Sequence, residues 1–484
     1  MNATTLNSYA DVLRKTGRGA SPTDRPIVCV QGLGFVGAAM ATAVAAAADE
    51  RDAACFNVVG VELDNPAGRA KIEAINAGRM PIECNDRQFA DALTAAHQRG
   101  NLVATSDPTV YAMASVIVVD VPFDVDDMHG EPSLPWDGFR AAIRTIGQHA
   151  QPGTLVLVET TVPPGTCEHV VAPELAKALR ERGLNENALL LAHSYERVMP
   201  GDQYFDSIVR FWRVYSGHTP EAADACERFL RQVIDVDNFP LRRLKSTTAS
   251  ELAKVMENSY RAVTIALMEE FGRFAEAVDV DIFEVVNAIR VRPTHSNMRQ
   301  PGFGVGGYCL TKDPLMTKLA AKEVFGLKGM DFPFCTQAVK ANHAMPVVSL
   351  EKTAAALGGL KGRNLLLLGV SYRQDVGDTR YSPSQTFVEQ ARRQGANVTA
   401  HDPLLRRWDE LEMDLPEQVP DAGDYDAVVF AVGHREYRKL DMTKWLAGAT
   451  PLIFDANDVL SDTQRQAART AGCRVLGIGR GEQA

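Results

Sequence analysis

Residues 27–37 read IVCVQGLGFVG, and no other stretch of the chain restricts its fold so severely. A continuous apolar run, IVCVQG (27–32), ends at Gly32-Leu33-Gly34-Phe35-Val36-Gly37, and an Ala-rich helical stretch follows. A lone G-x-G-x-x-G is a weak signal; between a strand and a helix it carries a mechanism. The first glycine permits a tight turn, the second admits a pyrophosphate, and the third lets helix pack on strand. The helix N-terminus then turns its positive end toward the phosphates. Gly32, Gly34, Phe35, Val36 and Gly37 are therefore the expected dinucleotide contacts.

Further apolar runs alternate with helical stretches: FNVVGVELD (56–64), SVIVVDVP (115–122), TLVLVETT (154–161) and ALLLAHS (188–194). Continuous apolar strands separated by helices imply a parallel sheet covered on both faces. The second run ends in Glu62, with Asp64 two residues on, placed for ribose hydroxyls. The interval from the glycines is longer than the usual twenty or so residues. DERDAACF (49–56) reads as the insertion responsible. An acidic residue here favours NAD, because it repels the 2′-phosphate of NADP; Arg69 is the one residue that argues otherwise.

At 484 residues the chain is too long for one core, so two or three domains are expected. A formal charge of −10 and no basic run argue against a nucleic-acid surface. The eight cysteines are scattered without CxxC or His/Cys metal spacing, as suits reduced thiols in a cytosolic protein and no bound metal. The first 26 residues lack an apolar signal region, and the Ala-rich run at 38–48 is far short of a membrane span. A soluble, cytoplasmic protein is expected.

From Thr247 to about Asp279 there is no proline and a single glycine, Gly272. Leu252, Met256, Tyr260, Val263, Leu267, Phe271, Phe274 and Val278 recur at steps of three and four, marking one helical face. About thirty residues at 1.5 Å each span roughly 45 Å, more than one small domain needs. The helix is expected to join two domains and to pack against a second subunit. Lys254, Asn258 and Arg261 lie on another stripe, with Glu251 before them; they are either a solvated face or a cluster that holds a developing oxyanion.

The βαβ grammar restarts at 361 with RNLLLLGV (363–370), NVTAHDP (397–403), DAVVFAV (426–432) and PLIFDAN (451–457). This second sheet has no glycine fingerprint, so a ligand other than a second dinucleotide is expected. Arg373, Asp378 and Arg380 follow its first strand at the carboxyl edge, where open α/β sheets bind ligands. Arginine's fork of donors suits diphosphates. Ser382-Pro383 reads as an N-cap followed by proline at the first helical position.

GFGVGGYCLTKDP (302–314) places Gly302, Gly304, Gly306 and Gly307 before Cys309, with Lys312 and Asp313 behind it. Glycines reach conformations closed to other residues and allow close approach to the backbone. From these residues alone, Cys309 is equally a nucleophile or a buried cysteine after a flexible turn.

Six blocks in order resemble the UDP-glucose/GDP-mannose dehydrogenases, the nucleotide-sugar 6-dehydrogenases, over essentially 25 to 470. They are GLGFVG (32–37), ETTVPPGT (159–166), ERVMPG (196–201), ELAKVMENSYRAVTIALMEEF (251–271), GVGGYCLTKDP (304–314) and GVSYRQDVGDTRYSP (369–383). The resemblance implies two Rossmann-like α/β domains of doubly wound parallel sheet, joined by a long central helix and a small helical domain. The expected boundaries are 24–225 for NAD, 226–345 for the helical domain and dimer interface, and 346–484 for the nucleotide sugar. It implies a four-electron oxidation of a sugar C6 alcohol using two NAD, through a thiohemiacetal and then a thioester on Cys309. Lys254 and Asn258 match the oxyanion-stabilising residues, Glu196 the general acid/base, and Asp313 with Thr161 the residues ordering the hydrolytic water. Implied substrate contacts are Glu196, Arg197 and Val198 through Pro200, Lys254 to Asn258, Arg261, Gly306, Gly307, Tyr308, Tyr372 and Arg373. Implied cofactor contacts are the glycine loop, Glu62, Val121 in the 119–123 turn, Thr161, Cys309, Lys312 and Arg380. The long helix points to a homodimer through it, with a larger assembly as the alternative.

The match is mixed in detail. Members acting on UDP-glucose usually read GGSCFxKD, and those acting on UDP-N-acetylhexosamines read GGHC followed by VDP. Here Tyr308 replaces the small residue or histidine, and Lys312-Asp313 follows the glucose pattern. ERVMPG and ENSYRAVTIAL follow the N-acetylhexosamine branch, and FDANDVL (454–460) lacks the arginine frequent in UDP-glucose enzymes. A UDP-N-acetylhexosamine is therefore the expected substrate, with UDP-glucose the alternative. A two-electron β-hydroxyacid dehydrogenase would need neither Cys309 nor the second sheet, and a non-catalytic NAD- or sugar-nucleotide-binding module would need no nucleophile.

Overall fold

The computed structural model describes residues 8–17, 24–82, 84, 86–198, 201 and 203–481. The chain forms two compact units, Met1–Val255 with Met316–Met330, and Met256–Leu315 with Asp331–Ala484.

The first unit is built on eight strands: β1 (Ile27–Gln31), β2 (Asn57–Val61), β3 (Leu102–Thr105), β4 (Val116–Val119), β5 (Leu155–Val158), β6 (Leu190–His193), β7 (Val214–Gly217) and β8 (Arg242–Arg243). Their order is β3-β2-β1-β4-β5-β6-β7-β8. The first six are mutually parallel and β7 turns antiparallel to β6. Strands β2, β4 and β5 are buried along their whole length, which explains their continuous Val/Leu runs. Strand β3, too short to stand out in the sequence, completes the edge beside β2. The helix Phe35–Ala46 is buried from Gly37 to Ala45. Only small side chains allow a helix to pack that closely on the sheet. The expected insertion at 49–56 is a turn closed by a bridge between Ala48 and Ala54.

In the second unit, β9 (Asn364–Leu368) and β10 (Asn397–His401) precede a two-stranded ribbon, β11 (Arg407–Trp408) with β12 (Met413–Asp414). Then come β13 (Ala427–Phe430), β14 (Leu452–Asp455) and β15 (Val475–Gly477). The sheet order is β10-β9-β13-β14-β15, parallel throughout. Ser382 caps the helix Pro383–Arg393 through its side chain, as the Ser-Pro pair predicts.

The helix Thr247–Ala277 is 31 residues long and divides between the units at residue 255. Its apolar stripe is largely uncovered: Met256 is 64% exposed, Phe271 52% and Phe274 65%. No helix among the described residues is long and apolar enough to cross a membrane, and all eight cysteines are free thiols.

Candidate active site

The glycine loop follows β1 directly. Gly32 has φ +92°, and a Cβ there would lie 2.6 Å from the Asp120 carbonyl oxygen. At Gly37 a Cβ would lie 1.8 Å from the Gly32 oxygen. Gly34, which caps the helix, has nothing within 4 Å on its Cβ side among the described residues. Two glycines thus close the turn and the third opens it to a phosphate. Phe35 and Val36, half-buried, start the helix.

Glu62 follows β2 and accepts from the Leu33 and Leu63 amides, each at 2.9 Å. Those bonds and Lys71, 3.2 Å away, outweigh its burial and hold its carboxyl below the usual range. Arg69 is turned to Asp64 at 2.7 Å. Lys71, nine residues on in a helix, carried no sequence signal. Thr160 donates to the carbonyls of Val119 (3.1 Å) and Val121 (2.8 Å), tying the 119–123 turn to the loop that carries half-buried Thr161. The residues present fit a dinucleotide: an open glycine turn, an ionised acid at the second strand, and a tied loop between.

Lys254 and Asn258 are both buried, which excludes a solvated stripe; Arg261, one turn further, is exposed. Within the first unit, Lys254 Nζ donates to the Glu196 carbonyl oxygen (2.8 Å) and to its Oε1 (3.1 Å). The same ammonium lies 5.4 Å from the Tyr195 ring centroid. The Val198 amide donates to Glu196 Oε2 at 2.5 Å. Arg197 donates to the Trp212 carbonyl at 3.0 Å and lies 5.5 Å from the Tyr195 ring centroid. Met199 and Pro200 lie outside the described residues. Glu251, one turn before Lys254, accepts from the amides of Gly165 (2.6 Å) and Cys167 (2.7 Å), holding the TVPPGT loop.

In the second unit, Cys309 is exposed in the first turn of the helix Tyr308–Leu319. One turn on, Asp313 accepts from Asn258 Nδ2 at 2.7 Å and from Lys312 Nζ at 3.0 Å. Asp313 and Lys312 are 1% and 4% exposed, so each neutralises the other in the interior. The Tyr308 ring carries the Arg380 guanidinium at 4.6 Å and meets Tyr381 edge-on at 5.1 Å. Arg380 forks onto Asp378, Nε to Oδ1 at 2.9 Å and Nη2 to Oδ2 at 2.5 Å. Exposed Arg373, with Arg299, bears on Arg261, whose pKa is lowered by partial burial and by their like charges. Burial pushes the Tyr372 hydroxyl up to about 12.

Gly306 and Gly307 pack against the protein's own chain on the side where a Cβ would stand. A Cβ at Gly306 would lie 2.5 Å from the Tyr381 carbonyl oxygen and 2.7 Å from Tyr372 Cβ. Gly307 has φ +76° and donates its amide to the Arg380 carbonyl at 3.1 Å. The protein's own 372–383 loop takes the room that the absent side chains leave.

A glycine turn on a parallel sheet and an acid at the second strand define a dinucleotide-binding protein. Comparison with known proteins makes the class specific. The description "UDP-glucose/GDP-mannose dehydrogenase family" fits three regions: the NAD binding domain at 27–234, the central domain at 248–344 and the UDP binding domain at 366–462. A UDP-N-acetyl-D-mannosamine dehydrogenase of Pyrococcus horikoshii is 30% identical, over 94% of this chain and 99% of the relative. An NDP-N-acetyl-D-galactosaminuronic acid dehydrogenase of Ralstonia nicotianae is 30% identical, over 86% of this chain and 92% of the relative. A solved structure of the UDP-D-ManNAc dehydrogenase from Pyrococcus horikoshii superposes with a TM-score of 0.79 at 27% identity, covering 94% of this chain and 100% of that one.

The chain belongs to the UDP-glucose/GDP-mannose dehydrogenase family. It is an NAD-dependent nucleotide-sugar dehydrogenase with a UDP-binding domain.

Sequence reasoning missed Asp120, Glu159 and Arg213, a buried group at the ends of the first sheet. Only the acids' positions after apolar strands hinted at them.

Proposed function

We propose that this enzyme oxidises the C6 alcohol of a UDP-N-acetylhexosamine to the uronic acid. The relatives named above act on N-acetylated sugars, and the ERVMPG and ENSYRAVTIAL blocks point the same way. Residues 24–225 hold NAD, 226–345 carry the long helix and Cys309, and 346–484 hold the nucleotide sugar. The product serves surface polysaccharide synthesis in the cytoplasm.

The balance is one alcohol and one water to one carboxylic acid, with four electrons leaving as two hydrides. NAD, bound twice per turnover, supplies the hydride acceptor. Glu196 takes the alcohol proton as C6 becomes an aldehyde. The Cys309 thiol gives up its proton to water and adds to that carbon as thiolate, and the thiohemiacetal oxyanion is held by Lys254 and Asn258. Loss of a second hydride leaves a thioester, which a water ordered by Asp313 and Thr161 cleaves to free the thiol and the acid. Gly306, Gly307, Tyr308, Tyr372, Arg373 and Arg261, with Arg197 and Val198, bind the sugar nucleotide. Gly32, Gly34, Phe35, Val36, Gly37, Glu62, Val121, Lys312 and Arg380 bind the cofactor. The uncovered stripe through Met256 and Phe274 is the homodimer surface; exposed apolar stripes of this length mark interfaces.

The observation that carries this mechanism is Cys309 itself: exposed at a helix start, one turn before a buried Asp313 paired with Asn258. UDP-glucose remains the second substrate, favoured by Lys312-Asp313. The test is a panel of UDP-N-acetylmannosamine, UDP-N-acetylgalactosamine, UDP-N-acetylglucosamine and UDP-glucose, scored by NADH per substrate and by acid formed. Two NADH with an N-acetylated sugar is expected. One NADH per substrate, or Cys309→Ala turning over near normally, rules out the covalent route.

A further inference from the structure

Two acids in the first unit have no part in that scheme. Asp120 follows β4 and Glu159 follows β5, immediately after the register partners Val119 and Val158. The two carboxyl groups therefore leave adjacent parallel strands side by side. They are 8% and 1% exposed. Glu159 Oε1 accepts from Arg213 Nη1, and both of those side chains are wholly buried. Among the described residues, Glu159 Oε2 and both carboxylate oxygens of Asp120 meet no donor.

An ionised carboxylate can only accept, and a buried one without a donor is costly. Two such groups side by side are reconciled by one proton held between them, as like carboxylates sharing a site require. Charge gives the same answer. The group contains three acids, Asp120, Glu159 and Glu196, and two cations, Arg213 on Glu159 and Lys254 on Glu196. One proton makes it neutral. Burial first, then the charge of Glu159, pushes Asp120 far above the usual carboxylate range. Burial also raises Glu159, against the pull of Arg213. The other titratable groups facing the pair are Glu196, which opposes ionisation of both acids, and the Cys226 thiol on the helix Pro220–Val233. His193 on β6, beside Lys254, is kept neutral by burial, its pKa lowered to about 3. Asp120 also underlies the glycine turn: a Cβ on Gly37 would lie 3.0 Å from its own Cβ.

We propose that Asp120 and Glu159 hold one shared proton at neutral pH, with the charge on Glu159 facing Arg213. The pair thus presents a single negative charge to Glu196, the acid–base residue of the proposed mechanism. Asp120 is on this account a positioning residue, acting through Glu159. The second half rests on the acid–base role of Glu196 proposed above.

Two measurements on the intact enzyme test it. Infrared spectra from about pH 6 to about pH 9 are expected to contain a protonated-carboxyl stretch that Asp120→Asn removes. Asn mimics the protonated acid, so the acidic limb of the kcat/KM profile should stay in place in Asp120→Asn. In Glu159→Gln a negative neighbour is gone, and the limb should fall by about one pH unit. An unchanged infrared spectrum in Asp120→Asn overturns the shared proton. A limb that falls in Asp120→Asn shows Asp120 to be ionised and overturns it equally. An Asp120→Asn chain that does not fold counts against a neutral Asp120; failure of Glu159→Gln alone supports the charge on Glu159. If Glu196→Gln keeps the acidic limb, the acid–base role of Glu196 fails with the second half, and the infrared result still decides the shared proton.

Discussion

The side-chain amide of Asn258 lies 2.7 Å from the carboxylate of Asp313, joining positions 55 residues apart in sequence. A residue of the long helix thereby fixes the carboxylate one turn behind the exposed thiol. Asn258 is tied to Asp313 before any sugar arrives, so its amide is oriented in advance.

Breaking that bond should cost both stability and turnover. Asn258→Ala leaves a buried carboxylate with Lys312 as its remaining donor among the described residues, and about 1–3 kcal/mol of stability is expected to go. Asn258→Asp should be worse, because it sets two carboxylates against each other in the interior. Urea unfolding of the two variants orders them; equal stability of Asn258→Asp and the parent would contradict the contact.

Lys254→Ala is expected to lower kcat by about 100- to 1,000-fold, as loss of an oxyanion donor does. It also removes the cation that pairs with buried Glu196. A rise in KM with kcat unchanged would show that Lys254 only binds.

Gly37→Ala should abolish NAD binding. The added methyl would lie 1.8 Å from the Gly32 oxygen, a backbone atom that cannot move without opening the turn. Overpacking of this kind costs about 3 kcal/mol or more. Titration with NADH by fluorescence checks it, and near-normal affinity would contradict the close contact.

Glu251 gives the fold a pH dependence. Burial, opposed by bonds from Cys167 and Gly165, raises its pKa from 4.5 to about 7. Between those values the folded state holds a proton that the unfolded chain has lost, so stability falls as pH rises through this window. Buried Glu269, raised to about 7 on the long helix, contributes with the same sign. Thermal melts from pH 5 to about pH 8 should fall less steeply for Glu251→Gln than for the parent. Parallel curves would show that Glu251 does not titrate there.

Much of the first sheet was legible because its signals are local. The strand-glycine-helix junction, the buried Val/Leu runs and the 3.6-residue period of Thr247–Ala277 each lie within a short window. Strand β3 was not, since four residues at a sheet edge carry too little pattern. Nor was Lys71, which reaches Glu62 from the next helix.

The strand-glycine-helix junction and the place of Cys309 behind four glycines were settled by the sequence itself. Each rests on backbone preference and on the spacing of apolar side chains. Folding alone decided that Lys254 and Asn258 are buried, that Tyr308 carries Arg380, and that Tyr372 and Tyr381 pack against Gly306 and Gly307. It alone also set Asp120 beside Glu159. These contacts join residues far apart in the chain, and their energies depend on desolvation, which exists only once neighbouring elements exclude water.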